Sequence, residues 1–318
     1  MGPKAKVIII LGPTASGKTS LAVQLARKIG GEIISADSRQ VFKKMDIGSG
    51  KDLSEYESVP YHLIDIRPAG DDYSVLDFQR DALSALSDIV SRKAVPIICG
   101  GTAHYVKALL DDYRFPAQKT DRAKTQALEL LPRETLYNRI KSLGLWENHH
   151  WETDSRRRMA RAIEKQTLRS LEIHPEPSFR DLYTPRIFFT QIERETLLLR
   201  VEHRLKQRFQ SGLIEEVESL RAGGVSHDRL ERYGLEYRWI SRYLNGDMNF
   251  EEMFQKLLIE IRRYAKRQMT FLRHLQKKGH RLEPVTEPSI FFKRVVSWLS
   301  EPFSISPCSP KGEPGEYS

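Results

Sequence analysis

Along the first third of the chain, short runs of β-branched and aliphatic residues alternate with amphipathic stretches. Residues 7–11, 32–36, 62–66 and 95–99 are apolar runs of strand length and predict buried strands. Residues 21–29 and 75–90 predict helices, the second with apolar positions at Val75, Phe78, Ala82, Leu86 and Ile89. Strands alternating with helices predict a parallel α/β sheet covered on both faces, and residues 186–192 predict one more core strand. Residues 116–184 have no strand signal. Their polar, helical pieces at 122–131, 133–143 and 155–171 predict an all-α insert, bracketed by Phe115-Pro116 and by Pro175, Pro177 and Pro185.

Two long helices are predicted beyond the insert. Residues 193–220 have an apolar stripe at Val201, Leu205, Phe209, Leu213, Val217 and Leu220. Residues 250–275 have one at Phe254, Leu257, Ile261, Ala265, Met269 and Leu272. Residues 301–318 are rich in Pro, Ser and Gly, and the expectation for them is a disordered tail. The expected organisation is a core of 1–115 and 185–300, an insert at 116–184 and that tail.

Composition narrows the class. A chain of 318 residues with 40% hydrophobic content can bury one sizeable core plus an insert. No apolar run approaches the roughly 18 residues of a membrane span, so no membrane partner is expected. The first strand begins after six residues, which predicts no secretory or transit peptide. Two cysteines, Cys99 and Cys308, stand far apart without metal-ligand spacing, and a reducing cytoplasm is expected. A net charge of +9 implies a polyanionic partner, and has to be located before it carries weight.

The sharpest motif is Gly12-Pro-Thr14-Ala15-Ser16-Gly17-Lys18-Thr19, a P-loop by spacing, directly after a predicted strand and before a predicted helix. Backbone N–H groups and a helix N-terminus in that context surround a diphosphate. Lys18 adds a point charge, and the Thr19 hydroxyl is placed to hold Mg²⁺. The fold class is therefore α/β, a P-loop NTPase-like sheet with an all-α insert and long C-terminal helices.

Which phosphate compound binds is a separate question. P-loop hydrolases of nucleoside triphosphates usually end a strand in a carboxylate. Here residues 95–99 run into Gly100-Gly101-Thr102, and Asp65 falls inside its predicted strand. Asp37 follows residues 32–36 and so belongs at the C-terminal sheet edge, which faces the ligand crevice in open parallel sheets. A helix cap or turn acid is the bland alternative for Asp37. Gln40 can pair with an adenine edge, or can serve as a polar turn residue.

Positive charge concentrates in two places. Between Arg262 and Arg281 there are eight Lys/Arg and no Asp/Glu, with Arg262, Arg263, Lys266, Arg267, Arg273 and Lys277 forming a stripe opposite the apolar one. Arg156, Arg157, Arg158, Arg161 and Lys165 form a second cluster on the insert, after the expected N-cap Asp154. Charge runs are commonly solvated faces, but a single-sign run favours a phosphate track. Tyr137, Trp146 and Trp151 can stack on RNA bases or form the insert's small core. The His149-His150 pair lacks a third metal ligand.

Gly12–Thr19, Asp37-Ser38-Arg39-Gln40, Met45-Asp46-Ile47-Gly48, Tyr73-Ser74 with Phe78 and Asp81, Gly100-Gly101-Thr102, residues 211–217 and Arg263-Tyr264-Ala265-Lys266-Arg267-Gln268 occur in one order and spacing. In that arrangement the chain, from about residue 6 to about residue 285, resembles the bacterial-type tRNA dimethylallyltransferases. The resemblance implies that the P-loop residues Gly12, Thr14, Ala15, Ser16, Gly17, Lys18 and Thr19 hold dimethylallyl diphosphate in place of ATP. It implies Asp37 as the base toward an adenine amine, Thr102 near the reacting centre with Lys18, and an insert that grips the anticodon arm of tRNA. The RNA contacts then fall to Asp37, Ser38, Arg39, Gln40, Arg122, Arg157, Arg158, Arg161, Arg263, Lys266 and Arg267. A monomer is expected.

The chain departs from the family pattern in several places. Gly-Gly-Thr-Gly-Leu-Tyr reads Gly100-Gly-Thr-Ala-His104-Tyr105, and Ile-Gly-Tyr-Lys-Glu reads Tyr233-Gly-Leu-Glu236-Tyr237. Thr-Trp-Phe-Arg reads Thr270-Phe-Leu-Arg273, and the insert is shorter. A nucleotide kinase or ATPase, a free-nucleotide isopentenyltransferase acting on AMP or ADP, and a non-catalytic RNA-binding protein are the rival readings.

Overall fold

The computed structural model describes residues 4–111, 121–146, 155–169 and 177–302. The chain divides into two compact units, one of Met1–Asp111 with Phe179–Ser318 and the other of Asp112–Ser178.

The first unit is built on a six-stranded sheet of β1 (Ala5–Leu11), β2 (Gly31–Ala36), β3 (Tyr61–His62), β4 (Val95–Gly100), β5 (Tyr183–Thr190) and β6 (Leu282–Val285). The strand order is β3-β2-β4-β1-β5-β6 and every pairing is parallel, with Ile8 opposite Ile97 and Ile9 opposite Ile187. Alternation along β1 separates two cores. Val7, Ile9 and Leu11 pack with Phe78, Ala82, Leu86 and Ile89 of α2 (Val75–Ser91) and Val106 and Leu109 of α3 (Ala103–Leu110). Ile8 and Ile10 pack with Leu21, Ala22 and Leu25 of α1 (Lys18–Ile29) and Phe291 and Val295 of α13 (Pro288–Ser300). Burial on both faces explains why these strands are continuously apolar.

The helix ends follow local chemistry. Ser74 caps α2 in a reciprocal box with Asp77, and α1 closes on left-handed Gly30. A third core is helical. It joins α8 (Arg194–Gln210), α9 (Leu213–Ala222), α10 (His227–Tyr233), α11 (Leu235–Leu244) and the first half of α12 (Phe250–Lys277). Along α12, Leu257, Ile261 and Ala265 face this helical core while Leu272 and Leu275 face the sheet core. One helix thereby ties the two cores.

The second unit contains α4 (Arg122–Glu129), α5 (Arg133–Ser142) and α6 (Arg156–Arg169) around Leu136, Ile140, Met159 and Ile163. The short α7 (Phe179–Leu182) leads the chain into β5.

Two expectations need correction. Only residues 61–62 of the 61–66 region pair as strand. Leu63 and Asp65 have positive φ, and the chain turns to bond residues 40–43 instead, through Asp65 N–H to Gln40 O and Arg67 N–H to Val41 O. The helix expected at 193–220 is broken at Gly212, whose φ of 95° ends α8 and opens α9. Strand β6 and helix α13 were not foreseen.

Candidate active site

Three loops meet at the C-terminal edge of the sheet, because β4 lies between β1 and β2. After β1, the Gly12–Thr19 turn passes through left-handed Ala15 and Gly17 before α1 begins at Lys18. A β-carbon on Gly12 would collide with the Thr190 hydroxyl, which itself bonds Ser16 Oγ at 2.6 Å. After β4, Gly100 lies against the Ala36 carbonyl, which accepts the Thr102 N–H at 3.2 Å. After β2, Asp37 accepts the Arg39 N–H at 2.8 Å, and Thr102 Oγ1 accepts the Ser38 N–H at 3.1 Å. Asp37 and Thr102 thus share one turn.

α12 locks these loops together. The buried Gln268 side chain accepts the Thr14 N–H at 2.8 Å and donates to the Gly101 carbonyl at 3.1 Å. One turn earlier, Tyr264 lies near Thr102 and Asp37, and burial pushes its phenol up.

Beside the P-loop opens a cleft of about 610 Å³, lined by Gly17, Lys18 and Thr19 on one side and by Arg200, Arg204 and Arg208 on the other. The arginines recur every four residues along α8, so one helix face carries all three. Burial lowers the Lys18 pKa. The charges of Arg204 and Arg208 lower it further, and that of Asp37 opposes them. Burial also lowers Arg204, again with Arg208 adding repulsion. A set of like charges held this close is prepared for an anion.

The IPP transferase family model matches residues 40–275. A tRNA dimethylallyltransferase 2 from Shewanella sediminis is 44% identical over 281 residues, covering 87% of this chain and 91% of the relative. A tRNA dimethylallyltransferase 2 from Pelobacter propionicus is 44% identical over 277 residues, covering 87% and 88%. The crystal structure of a full-length tRNA isopentenylpyrophosphate transferase from Bacillus halodurans superposes with a TM-score of 0.68 at 30% identity, covering 93% of this chain and 96% of that one. The chain belongs to the IPP transferase family.

Several family motifs prove to be structural couplings. Glu216, from the 211–217 segment, accepts the N–H groups of Asp46, Ile47 and Gly48 at 2.6–3.0 Å and the Tyr237 hydroxyl at 3.0 Å. Gly48 leaves room for the Tyr237 ring, which a β-carbon would meet at 2.7 Å. Tyr73 bonds Asp81 at 3.1 Å, and Phe78 stacks on Tyr105 of α3 with centroids 4.1 Å apart. His104, one of the departures, is exposed.

One site expectation changes. Gln40 is buried, with its oxygen bonded to Ser35 Oγ at 2.7 Å and its nitrogen to the Gly50 carbonyl at 3.0 Å, so its amide has no edge turned to an adenine. Arg39 is half-buried against the end of α10, donating through Nε to the Tyr233 carbonyl at 2.7 Å and lying over that ring. Asp65, weighed above as a nucleotidase acid, is committed elsewhere. With Asp46 it holds the buried Lys51 ammonium, each at 2.5 Å. Lys51 was not foreseen.

Within the insert, Arg157, Arg158 and Arg161 are exposed on α6. Tyr137 and Trp146 meet edge to face at 5.6 Å within its small core. The side chain of Arg122 lies outside the described residues, as do Trp151, His149, His150, Asp154 and residues 303–318. On α12, Arg263, Lys266, Arg267, Arg273 and Lys277 are exposed, while Arg262 turns in to Glu202 of α8 at 3.0 Å. No helix among the described residues is long and apolar enough to cross a membrane.

Proposed function

We propose that this chain transfers the dimethylallyl group of dimethylallyl diphosphate to the exocyclic N6 amine of the adenosine 3′ of the anticodon in tRNA, giving N6-isopentenyladenosine and diphosphate. The observation that carries this reading is a P-loop after β1 and Asp37 after β2 at one edge of the sheet, with a cationic cleft beside the P-loop. P-loop amides, Lys18 and the α8 arginines stabilise charge as it builds on the leaving diphosphate. The adenine amine is too weak an acid to ionise first, so Asp37 accepts its hydrogen bond and takes the proton late. Thr102, whose Oγ1 accepts the Ser38 N–H, fixes the turn that carries Asp37.

Mg²⁺ fits this site as a substrate-borne ion. No group of three or more His, Cys, Asp or Glu gathers for a metal among the described residues, and Thr19 offers one hydroxyl at the cleft. That donor set suits an ion that keeps its waters and takes phosphate oxygens, and Mg²⁺ bound there would neutralise leaving-group charge.

A nucleotide kinase or ATPase is disfavoured because β4 ends in glycines and Asp65 is committed to Lys51. A free-nucleotide isopentenyltransferase leaves the exposed charges of α6 and α12 without a purpose. The chemistry is complete in one chain, which supports action as a monomer. Incubation with dimethylallyl diphosphate and bulk tRNA, then nucleoside digestion and mass spectrometry, should yield N6-isopentenyladenosine. Unmodified tRNA alongside ATP turnover would overturn the reading.

A further inference from the structure

Glu236 opens α11 and is buried, and burial raises its carboxyl pKa. A buried carboxylate needs a partner, and this one has Arg208 of α8, whose Nη1 lies 2.8 Å from Glu236 Oε1. The same Nη1 donates to the Gly48 carbonyl at 3.2 Å. Two acceptors on one nitrogen fix the guanidinium plane. Its Nη2 edge lies against Gly50, where a β-carbon would collide with both Arg208 and Arg204. Gly50, at φ 62°, thereby lets two guanidinium groups reach the loop backbone.

We propose that Arg208 is an anion-binding residue of the P-loop cleft and that Glu236 is its positioning residue. Arg208 lines the cleft with Lys18, Arg200 and Arg204. Arg204 is the better hydrated of the pair, with a side chain 30% exposed against 13% for Arg208, and bonds Asp52 at 3.2 Å. Arg208 is the less exposed, and because Glu236 offsets its charge, what it offers an anion is a fixed set of N–H donors. The Glu236 anchor costs no competing contact at Nη2.

This inference rests on the cleft being the diphosphate site, and its test separates the two. Binding of inorganic pyrophosphate with Mg²⁺ to the full chain is measured by titration calorimetry for wild type, Lys18→Ala, Arg208→Gln, Glu236→Gln and the Arg208→Gln/Glu236→Gln double variant. Loss of one charge-assisted hydrogen bond predicts roughly 10- to 100-fold weaker binding for Arg208→Gln. The double variant buries no lone charge, and should fold and show the same loss. Glu236→Gln is decided by sign. Removing a negative charge near an anion tightens binding by Coulomb's law alone, whereas loss of an anchor for Arg208 weakens it, here by about 3- to 10-fold. The donor KM should rise in these variants and the stem-loop KM should not. Wild-type pyrophosphate binding in both Arg208 variants, with Lys18→Ala impaired, would overturn the role of Arg208 and leave the cleft reading standing. Tighter binding in Glu236→Gln would overturn the positioning role. Unchanged binding in Lys18→Ala as well would overturn both the cleft reading and this one.

Discussion

Replacing Gln268 with alanine removes a side chain that bonds both the P-loop and the Gly-Gly-Thr loop. The Thr14 N–H and the Gly101 carbonyl each lose a partner, at 2.8 and 3.1 Å. An unsatisfied buried backbone group costs about 1–3 kcal/mol, so two cost about 2–6 kcal/mol. Thr14 and Gly101 are only half-buried and water can replace part of the loss, which places the expectation at about 2–4 kcal/mol. Function should fall as well, because a displacement of about 1 Å in a positioned group costs on the order of 10²-fold in rate. Gln268→Glu is the more telling variant. It keeps an acceptor for Thr14 N–H but turns an oxygen toward the Gly101 carbonyl, so it should lose stability despite equal size. Urea unfolding and the kcat/KM of prenyl transfer read the two effects. A Gln268→Ala protein within about 0.5 kcal/mol and twofold of wild type would refute the coupling.

Asp37→Ala should lower turnover by roughly 10²–10⁴-fold with donor binding retained, and turnover within a few-fold of wild type would remove Asp37 from the proton-accepting role. Lys18→Ala should slow transfer by on the order of 10²-fold and weaken diphosphate binding, while RNA-stimulated ATP hydrolysis by the wild type would favour a nucleotidase. Lys266→Ala/Arg267→Ala and Arg157→Ala/Arg161→Ala should each reduce the slope of log affinity against log salt for an anticodon stem-loop by roughly 0.7–0.9 per lost contact. Unchanged slopes would mark these charges as solvated surface. Acid should destabilise the sheet edge through Glu32, whose carboxyl the Arg92 hydrogen bond and His62 hold below its usual 4.5 against the opposing effect of burial. The folded state then binds fewer protons than the unfolded one. This contribution is complete above pH of about 4.5 and decays as pH falls through the lowered value. Glu32→Gln should flatten the acid limb of a stability–pH curve, and an identical limb would reject that origin.

The parts of the site that depend on local chain geometry were readable from residues alone. A buried strand ending in a glycine-rich turn and a helix announces the P-loop, and the apolar run before Asp37 places that acid at the sheet edge. Readings failed where tertiary contacts decide. The 62–66 run is apolar enough for a strand, yet positive φ at Leu63 and Asp65 diverts it, and neither residue type signals that. Gly212 splits an apolar stripe whose spacing continues across the break. β6 is four residues with a proline, tolerated because it lies at the sheet edge. Gln40 sits in a motif with half-buried neighbours but turns inward to Ser35 and Gly50. The arginines at 200, 204 and 208 recur at helical spacing, but a charged helix face ordinarily reads as solvated. Only the packing of α8 beside the P-loop shows what that face meets. Gln268 and Tyr264 were in view within a recognised motif, without a signal that their neighbours lie more than 150 residues away.

The central claim is that a diphosphate cleft serves an adenine presented by RNA. It is tested most directly by giving the protein labelled dimethylallyl diphosphate with an anticodon stem-loop, or with AMP, at matched concentrations and Mg²⁺. The account predicts rapid label transfer to the stem-loop, a kcat/KM for AMP lower by several orders of magnitude, and a stem-loop rate that falls steeply with salt. Equal transfer to AMP and to the stem-loop, insensitive to salt, would contradict it.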